Sequence, residues 1–246
     1  VNFSNESSYP EQVYGVFVDN SGGSGAVTVS GVPGDLRGFR YNMLDGIYIF
    51  TKGAVKVQDV AGNQNGRHML QVDNQQGIGK AVTVLNLSTY QNRSTGITIL
   101  STGAVTVNGS TSYMNKGSNL EITTQGAVSV IGTKNFSLFG NTDVGHGVII
   151  STKGNVTLAN FNANDNEDGW GVYVDNQAGT GTVTITDVWA ESNGFDGIKV
   201  LSYGAVTLKN TTARYNGHNG IVIENLHVTY LKGVTLTNVT VEGNDY

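Results

Sequence analysis

Short alternations of apolar and polar residues run the length of the chain: "AVTV" at 26–29, "GIYI" at 46–49, "GITI" at 96–99, "GVYV" at 171–174 and "GIVI" at 220–223. Period-two alternation over about four or five residues predicts strands with one buried face. No window sustains the i, i+3, i+4, i+7 spacing of an amphipathic helix, so the pattern predicts an all-β chain.

The alternations recur at measurable intervals. The first Val of each "AVTV"-like run is Val27, Val55, Val82, Val105, Val128, Val156, Val183, Val206 and Val234, in steps of 28, 27, 23, 23, 28, 27, 23 and 28. The other strand ends on Val18, Ile49, Val72, Ile99, Ile122, Ile150, Val174, Val200 and Ile223. The base unit is 23 residues, with insertions confined to two places. Steps from Val27 to Val128 span 101 residues and then begin again, with "TKG" at 51–53 and 152–154 and "VDNQ" at 72–75 and 174–177. A period of this length is too short for a propeller blade, and the leucine-rich frame is absent. A single-stranded parallel β-helix fits: a β-solenoid of about nine coils of 23–28 residues, forming one domain over 1–246. Nine coils at about 4.8 Å each make a rod roughly 43 Å long.

Columns appear when residues are counted from each marker Val. Position +4 is Gly, Asn or Asp in every coil, the types that accept a left-handed or tight-turn backbone. Position +10 holds Asn65, Asn92, Asn115, Asn166, Asn193, Asn216 and Asn244, a candidate amide ladder from coil to coil. Position −2 holds Gly25, Gly53, Gly103, Gly126, Gly154, Gly181 and Gly204, read as turn glycines. Position +1 is mostly Thr and faces outward. Position +3 holds no second Thr column, so the broad flat array of an ice-binding face is missing.

Composition narrows the partners. Only 13% of residues are charged, the net charge is −5, and the basic residues are scattered singly. That pattern excludes counterion-releasing contact with nucleic acid and argues against a membrane surface. No apolar run approaches the ~20 residues of a membrane span. No cysteine is present, which removes disulfides and thiolate metal sites. Residues 1–20 read as lacking a signal peptide.

The unit "GAVTLKNTTARYNGHNGIVIEN" resembles the repeats of right-handed parallel β-helix proteins of the pectate-lyase-like superfamily, over about residues 13–246. It is most similar to long bacterial surface and secreted repeat proteins. The resemblance implies an extracellular, cell-surface location and one of two roles. One is a non-enzymatic structural or adhesive solenoid, either a segment of a long surface protein or a head-to-tail filament or sheath subunit. The alternative is a polysaccharide-active lyase or glycoside hydrolase, or a glycan-binding module of the same fold. For the enzyme, Asn141-Thr142-Asp143, Gly145-His146-Gly147 and Ile198-Lys199 resemble polygalacturonase motifs. The acidic pair that would complete a hydrolytic set is not found between them.

Candidate sites follow from residue type. Asp165, Glu167 and Asp168 are the densest acids and the candidate Ca²⁺ site, with Glu191 and Asp196 expected on the next coil. No catalytic residue and no cofactor is assigned. Tyr48, Tyr173, Trp170 and Trp189 are the candidates for glycan contact, with Tyr14, Tyr48, Tyr173 and Phe17 expected to form separate exposed patches. The Asp of each "VDN" turn (Asp19, Asp73, Asp175) is expected to close an Asx turn. The four histidines, His68, His146, His218 and His227, lack metal-ligand spacing. Sequons occur at Asn2, Asn5, Asn86, Asn92, Asn108, Asn135, Asn155, Asn210 and Asn238, with Asn86, Asn92, Asn155, Asn210 and Asn238 the candidates for N-glycosylation. Neither end of the sequence carries an evident cap, which points to further repeats or to stacking of subunits end to end.

Overall fold

The computed structural model describes residues 12–33, 38–133, 139–140, 144–225 and 232–245. Its strands are all parallel and form the walls of a solenoid. Among the described residues two walls carry nine strands each, which makes about eight full turns between the first strand of a wall and its last. The first sheet runs from Val16–Asn20 to Ile221–Glu224, and the second from Val27–Ser30 to Val234–Glu242.

Register converts the sequence period into a core. In the first sheet Ile97 pairs with Leu70 on one side and Leu120 on the other, and Ile99 with Val72 and Ile122. In the second sheet Val105 lies between Val82 and Val128, and Val107 between Val84 and Val130. These side chains are essentially inaccessible. Each buried Val, Ile or Leu contributes about 1.5–3 kcal/mol. The +1 Thr residues stack on the outer face of the second sheet, Thr83 beside Thr106 and Thr184 beside Thr207.

A third wall escaped the alternation pattern. Among the described residues it is a five-stranded sheet of two- and three-residue strands: Phe39–Arg40, Ala61–Asn63, Ser88–Tyr90, Thr111–Tyr113 and Phe139–Gly140. Its inward column reads Phe39, Gly62, Thr89, Ser112, Phe139, so the hydrophobic signal is missing from its middle. In the later coils the second-sheet strand continues into this wall as one long strand, as in Val183–Glu191 and Val206–Arg214. The strand turns the corner through left-handed residues at +4: Asn160, Asp187, Asn210 and Asn238 have φ between 48° and 59°. Asn and Asp take this conformation at lower cost than other side chains. Side-chain amides tie some of these corners together, with Asn86 Nδ2 donating to Asp59 Oδ1 and Asn210 Nδ2 to Asp187 Oδ1.

The +10 asparagines lie inside the opposite corner. Asn65 donates from its backbone N–H and from Nδ2 to Asn92 Oδ1, at 3.1 and 2.9 Å. Asn92 makes the same two bonds to Asn115 Oδ1, at 3.0 and 2.8 Å. Asn42, which the offset count misses, starts this run by bonding Asn65 Oδ1. Asn115 ends it on Asn119 Oδ1 of its own coil. A second run links Asn166, Asn193, Asn216 and Asn244 in the same way. The residue before each of these asparagines is left-handed, including Gln64, Gln91, Met114, Ser192 and Tyr215, with φ from 54° to 56°. Such residues carry strain of order 1–2 kcal/mol each. The buried amide bonds of the next residue offset it.

The −2 glycines have a reason other than the turn conformation. None of the seven has positive φ. A Cβ on Gly53 would meet the Gly25 carbonyl, and one on Gly204 the Gly181 carbonyl, because adjacent coils approach there with backbone against backbone. A hydroxyl two residues earlier receives several of their amide protons: Gly53 N–H donates to Thr51, Gly103 to Ser101, Gly204 to Ser202. Coils with a longer turn use Asn instead, and Asn74 Nδ2 reaches both the Gly53 and Lys80 carbonyls. Beside it the "VDN" aspartates form Asx turns: Asp19 accepts from Ser21 N–H, Asp73 from Gln75 and Asp175 from Gln177.

Candidate functional site

The outer face of the first sheet and the corner leading into it carry two aromatic groups. Near the start of the chain, Phe17 and Tyr48 occupy paired register positions, and Tyr14 stands two residues before the first strand. Tyr14 stacks on Phe17 with centroids 5.2 Å apart, and Tyr48 lies 5.5 Å from Phe17. Burial, followed by the charge of Asp73, pushes the Tyr48 phenol above its ordinary value. Beside this group the buried Asp45 pairs with Arg67 at 3.1 Å, and Arg67 also bonds Gln71. His68 is held at the same corner, its Nδ1 3.1 Å from the Thr95 carbonyl, and its backbone N–H donates to Asp45 Oδ1.

The second group is a row along the axis. His146 stacks on Trp170 at 4.6 Å with planes 23° apart, and Trp170 stacks on Tyr173 at 4.8 Å. Phe195 meets Trp170 edge to face at 5.5 Å, and His218 lies 5.4 Å from Phe195. Four successive coils build this row, Trp170 and Tyr173 coming from the same coil, and each residue stands just before or within a first-sheet strand. The Trp170 backbone N–H donates to His146 Nδ1 at 3.1 Å, so His146 is the neutral tautomer protonated on Nε2. Burial holds its pKa below the ordinary histidine value. Lys199, next to Tyr173 in the register, pairs with Glu224 at 3.5 Å. Stacked rings flanked by a carboxylate and an ammonium offer apolar faces and hydrogen-bonding edges side by side, the chemistry that receives an amphipathic ring.

The predicted glycan residues therefore divide. Trp170 and Tyr173 are in contact, and Tyr48 belongs to the other group. Trp189 stands apart on the third wall, next to Asn162 and Thr212 and about half exposed. Sequence reasoning missed His146, Phe195 and His218 as ring partners. Their signal was position, two or three residues before a first-sheet strand, rather than residue type.

Asp165 is left-handed with φ 57°, and burial followed by the neighbouring Glu191 raises its carboxyl pKa. Asp196 is buried and accepts two bonds from Asn219, so it is committed to structure. Among the described residues no three His, Asp or Glu are close enough to hold a metal ion. Glu167 and Asp168 are exposed beside Asp165.

Of the sequons, Asn86, Asn155 and Asn238 are exposed, and Asn210 is half-buried. Asn92 is different. Its side chain is buried, and Nδ2 is committed to Thr89 and Asn115, which leaves no room for a glycan in this packing. Asn2, Asn5, Asn135, His227 and Asn141-Thr142-Asp143 lie outside the described residues.

Fold and outer face together define a parallel β-solenoid with an aromatic-lined wall. The chain belongs to the right-handed β-helix family: the family described as "Right handed beta helix region" matches residues 14–212. No curated protein and no solved structure matches.

Proposed function

We propose that this chain is a non-enzymatic structural and adhesive solenoid of a cell surface or extracellular matrix, contacting glycans through the outer face of its first sheet. The row His146, Trp170, Tyr173, Phe195 and His218 carries this reading, because it presents stacked rings across four coils beside Lys199 and Glu224. Continuation of the rod by stacking on coils of the same kind belongs to the proposal. Its support is the unbroken parallel register along both nine-stranded walls, in which each coil pairs with the next in the same way.

Glycan-array binding, followed by tryptophan fluorescence titration with the oligosaccharides retained, tests the adhesive part. Trp170→Ala is expected to reduce affinity at least tenfold, and Trp189→Ala to leave it within twofold. Equal losses from both variants, or no binding to any glycan, would sink the adhesive reading. Release of reducing ends or unsaturated products from a bound polysaccharide would overturn the non-enzymatic part and favour the enzyme.

A further inference from the structure

The corner that encloses the asparagine ladders has an outer surface of opposite charge in its two halves. Count the coils by their ladder residues, Asn42 first and Asn244 ninth, with Phe139–Gly140 at the fifth level. Over the early coils the corner shows Arg40, Arg93 and Lys116, and its acid, Asp45, is buried and paired with Arg67. Over the late coils it shows Asp165, Glu167, Asp168, Glu242 and Asp245, and its base, Arg214, is paired with Glu191 at 2.6 Å. Arg93, Lys116, Glu167 and Asp168 are exposed and make no ion pair among the described residues.

The same corner is rich in exposed apolar side chains. Tyr41, Met43, Met114 and Tyr215 are 46%, 58%, 40% and 56% exposed. Tyr41, Met114 and Tyr215 are left-handed residues, whose backbone turns the side chain out of the coil. Tyr41, Gln64, Gln91, Arg93, Met114 and Lys116 line a shallow groove of about 380 Å³. Tyr, Met and Arg around a groove are the residue types that protein interfaces concentrate.

The geometry points to lateral pairing of two copies of this chain, antiparallel, with the ladder corners facing each other. A two-fold axis at the Phe139–Gly140 level brings the fourth coil of one copy opposite the sixth of the other. Lys116 then faces Asp165, Glu167 and Asp168, Arg40 of the first coil lies opposite Glu242 and Asp245 of the ninth, and Arg93 of the third lies opposite the seventh, whose Glu191 is already paired with Arg214. The second and eighth coils meet through Arg67 and Arg214, each already neutralised within its own chain. Middle to middle, the two halves are about five coils apart, roughly 24 Å. An antiparallel pair needs no stagger to match both, and a two-fold pair closes on itself. A parallel pair in register would set like charges together. This pairing is distinct from end-to-end stacking, because none of Arg93, Lys116, Glu167 and Asp168 lies on a terminal coil.

Sedimentation velocity across ionic strength tests it. The wild-type chain is expected to show a doubled mass at about 0.01 M salt and to dissociate by about 0.5 M, where screening confines charge contacts to a few ångströms. Arg93→Glu with Lys116→Glu makes both halves acidic, and Glu167→Lys with Asp168→Lys makes this region of the acidic half basic. Each double variant alone is expected to be monomeric at low salt, and an equimolar mixture of the two to recover the doubled mass. Circular dichroism identifies any variant that has not folded. In that case carbodiimide cross-linking of labelled and unlabelled wild-type chains gives the answer, with an intermolecular Lys116–Glu167 or Lys116–Asp168 link expected. A wild-type monomer at low salt overturns the proposal. So do self-association of either variant at wild-type strength, a mixture that stays monomeric, and cross-links confined to single chains.

Discussion

The ladder predicts an unusually costly loss at Asn92. Its Oδ1 accepts two hydrogen bonds from Asn65, and its Nδ2 donates to Asn115 at 2.8 Å and Thr89 at 2.7 Å. Asn92→Ala removes these four, and a longer bond of 3.3 Å from Nδ2 to the Tyr90 carbonyl, in a fully buried place. Asn65 Nδ2 keeps the Phe39 carbonyl, and Asn115 Oδ1 keeps the residue 92 backbone N–H, so both are only partly orphaned. The Asn65 backbone N–H loses its side-chain acceptor outright. At about 1 kcal/mol per bond, plus the penalty for a buried unmet donor, the loss comes to about 3–5 kcal/mol. Asn155→Ala is the control: the same residue type, exposed, accepting one bond from Thr182 N–H. It is expected to cost about 0.5 kcal/mol. Urea unfolding followed by circular dichroism measures both, with amide hydrogen exchange to localise the change, because coils of a solenoid need not unfold as one unit. If the two variants fall within about 0.5 kcal/mol of each other, the ladder carries no special stability and the reasoning fails. A cycle with Asn65→Ala sharpens the test, since contacting members of one network lose less together than separately.

Three further outcomes follow. Asn92→Asp keeps the two acceptor roles but places a carboxylate against Asn115 Oδ1; its pKa is raised by burial, so the variant regains stability relative to wild type as pH falls and the acid protonates, measured by melting at pH 7 and pH 4. His68 and His146 both have folded pKa values below the ordinary one, with burial the largest cause, so the unfolded chain binds more protons. Stability therefore declines as pH drops below about 6.5, and His146→Gln, which still offers an acceptor to Trp170 N–H, should flatten the slope of melting temperature against pH; an unchanged slope would show that His146 does not contribute. Gly204→Ala drives a Cβ into the Gly181 carbonyl and should cost about 2 kcal/mol or more, while Gly25→Ala meets nothing within 4 Å and should be nearly neutral, both read from urea midpoints.

Much of this architecture was legible because a solenoid writes its geometry as a period. The steps between marker valines and the in/out alternation of "VTV" and "ITI" were enough for two walls and their register. The third wall was not legible, for a physical reason. Strands such as Ser88–Tyr90 and Thr111–Tyr113 are too short to alternate, and they point Thr89 and Ser112 inward instead of an aliphatic residue. The left-handed residues divided the same way. At +4 the chain uses Asn and Asp, which announce the conformation. Before most ladder asparagines it uses Gln, Met, Tyr or Ser, which do not, because tertiary hydrogen bonds impose the backbone there; Asp165 and Gly243 are the exceptions. The glycan candidates were half legible: residue type picked out Trp170 and Tyr173, but only stacking showed that His146 and Phe195 join them and that Trp189 does not.

The two kinds of corner have an evolutionary consequence. The edge after the first sheet accepts a short Ser or Thr turn or a longer Asn-closed one without disturbing its neighbours, since the Gly53 carbonyl is met by Asn74 and the Gly103 carbonyl by Thr124. Within each run the ladder corner is stricter, because successive asparagines present the same acceptor backward and the same donor forward. A coil is therefore an interchangeable part with a standard fitting. Gene duplication, deletion or recombination between coils can change the length of the rod in increments of about 4.8 Å and keep every junction compatible, while mutations that decorate the outer edge accumulate independently.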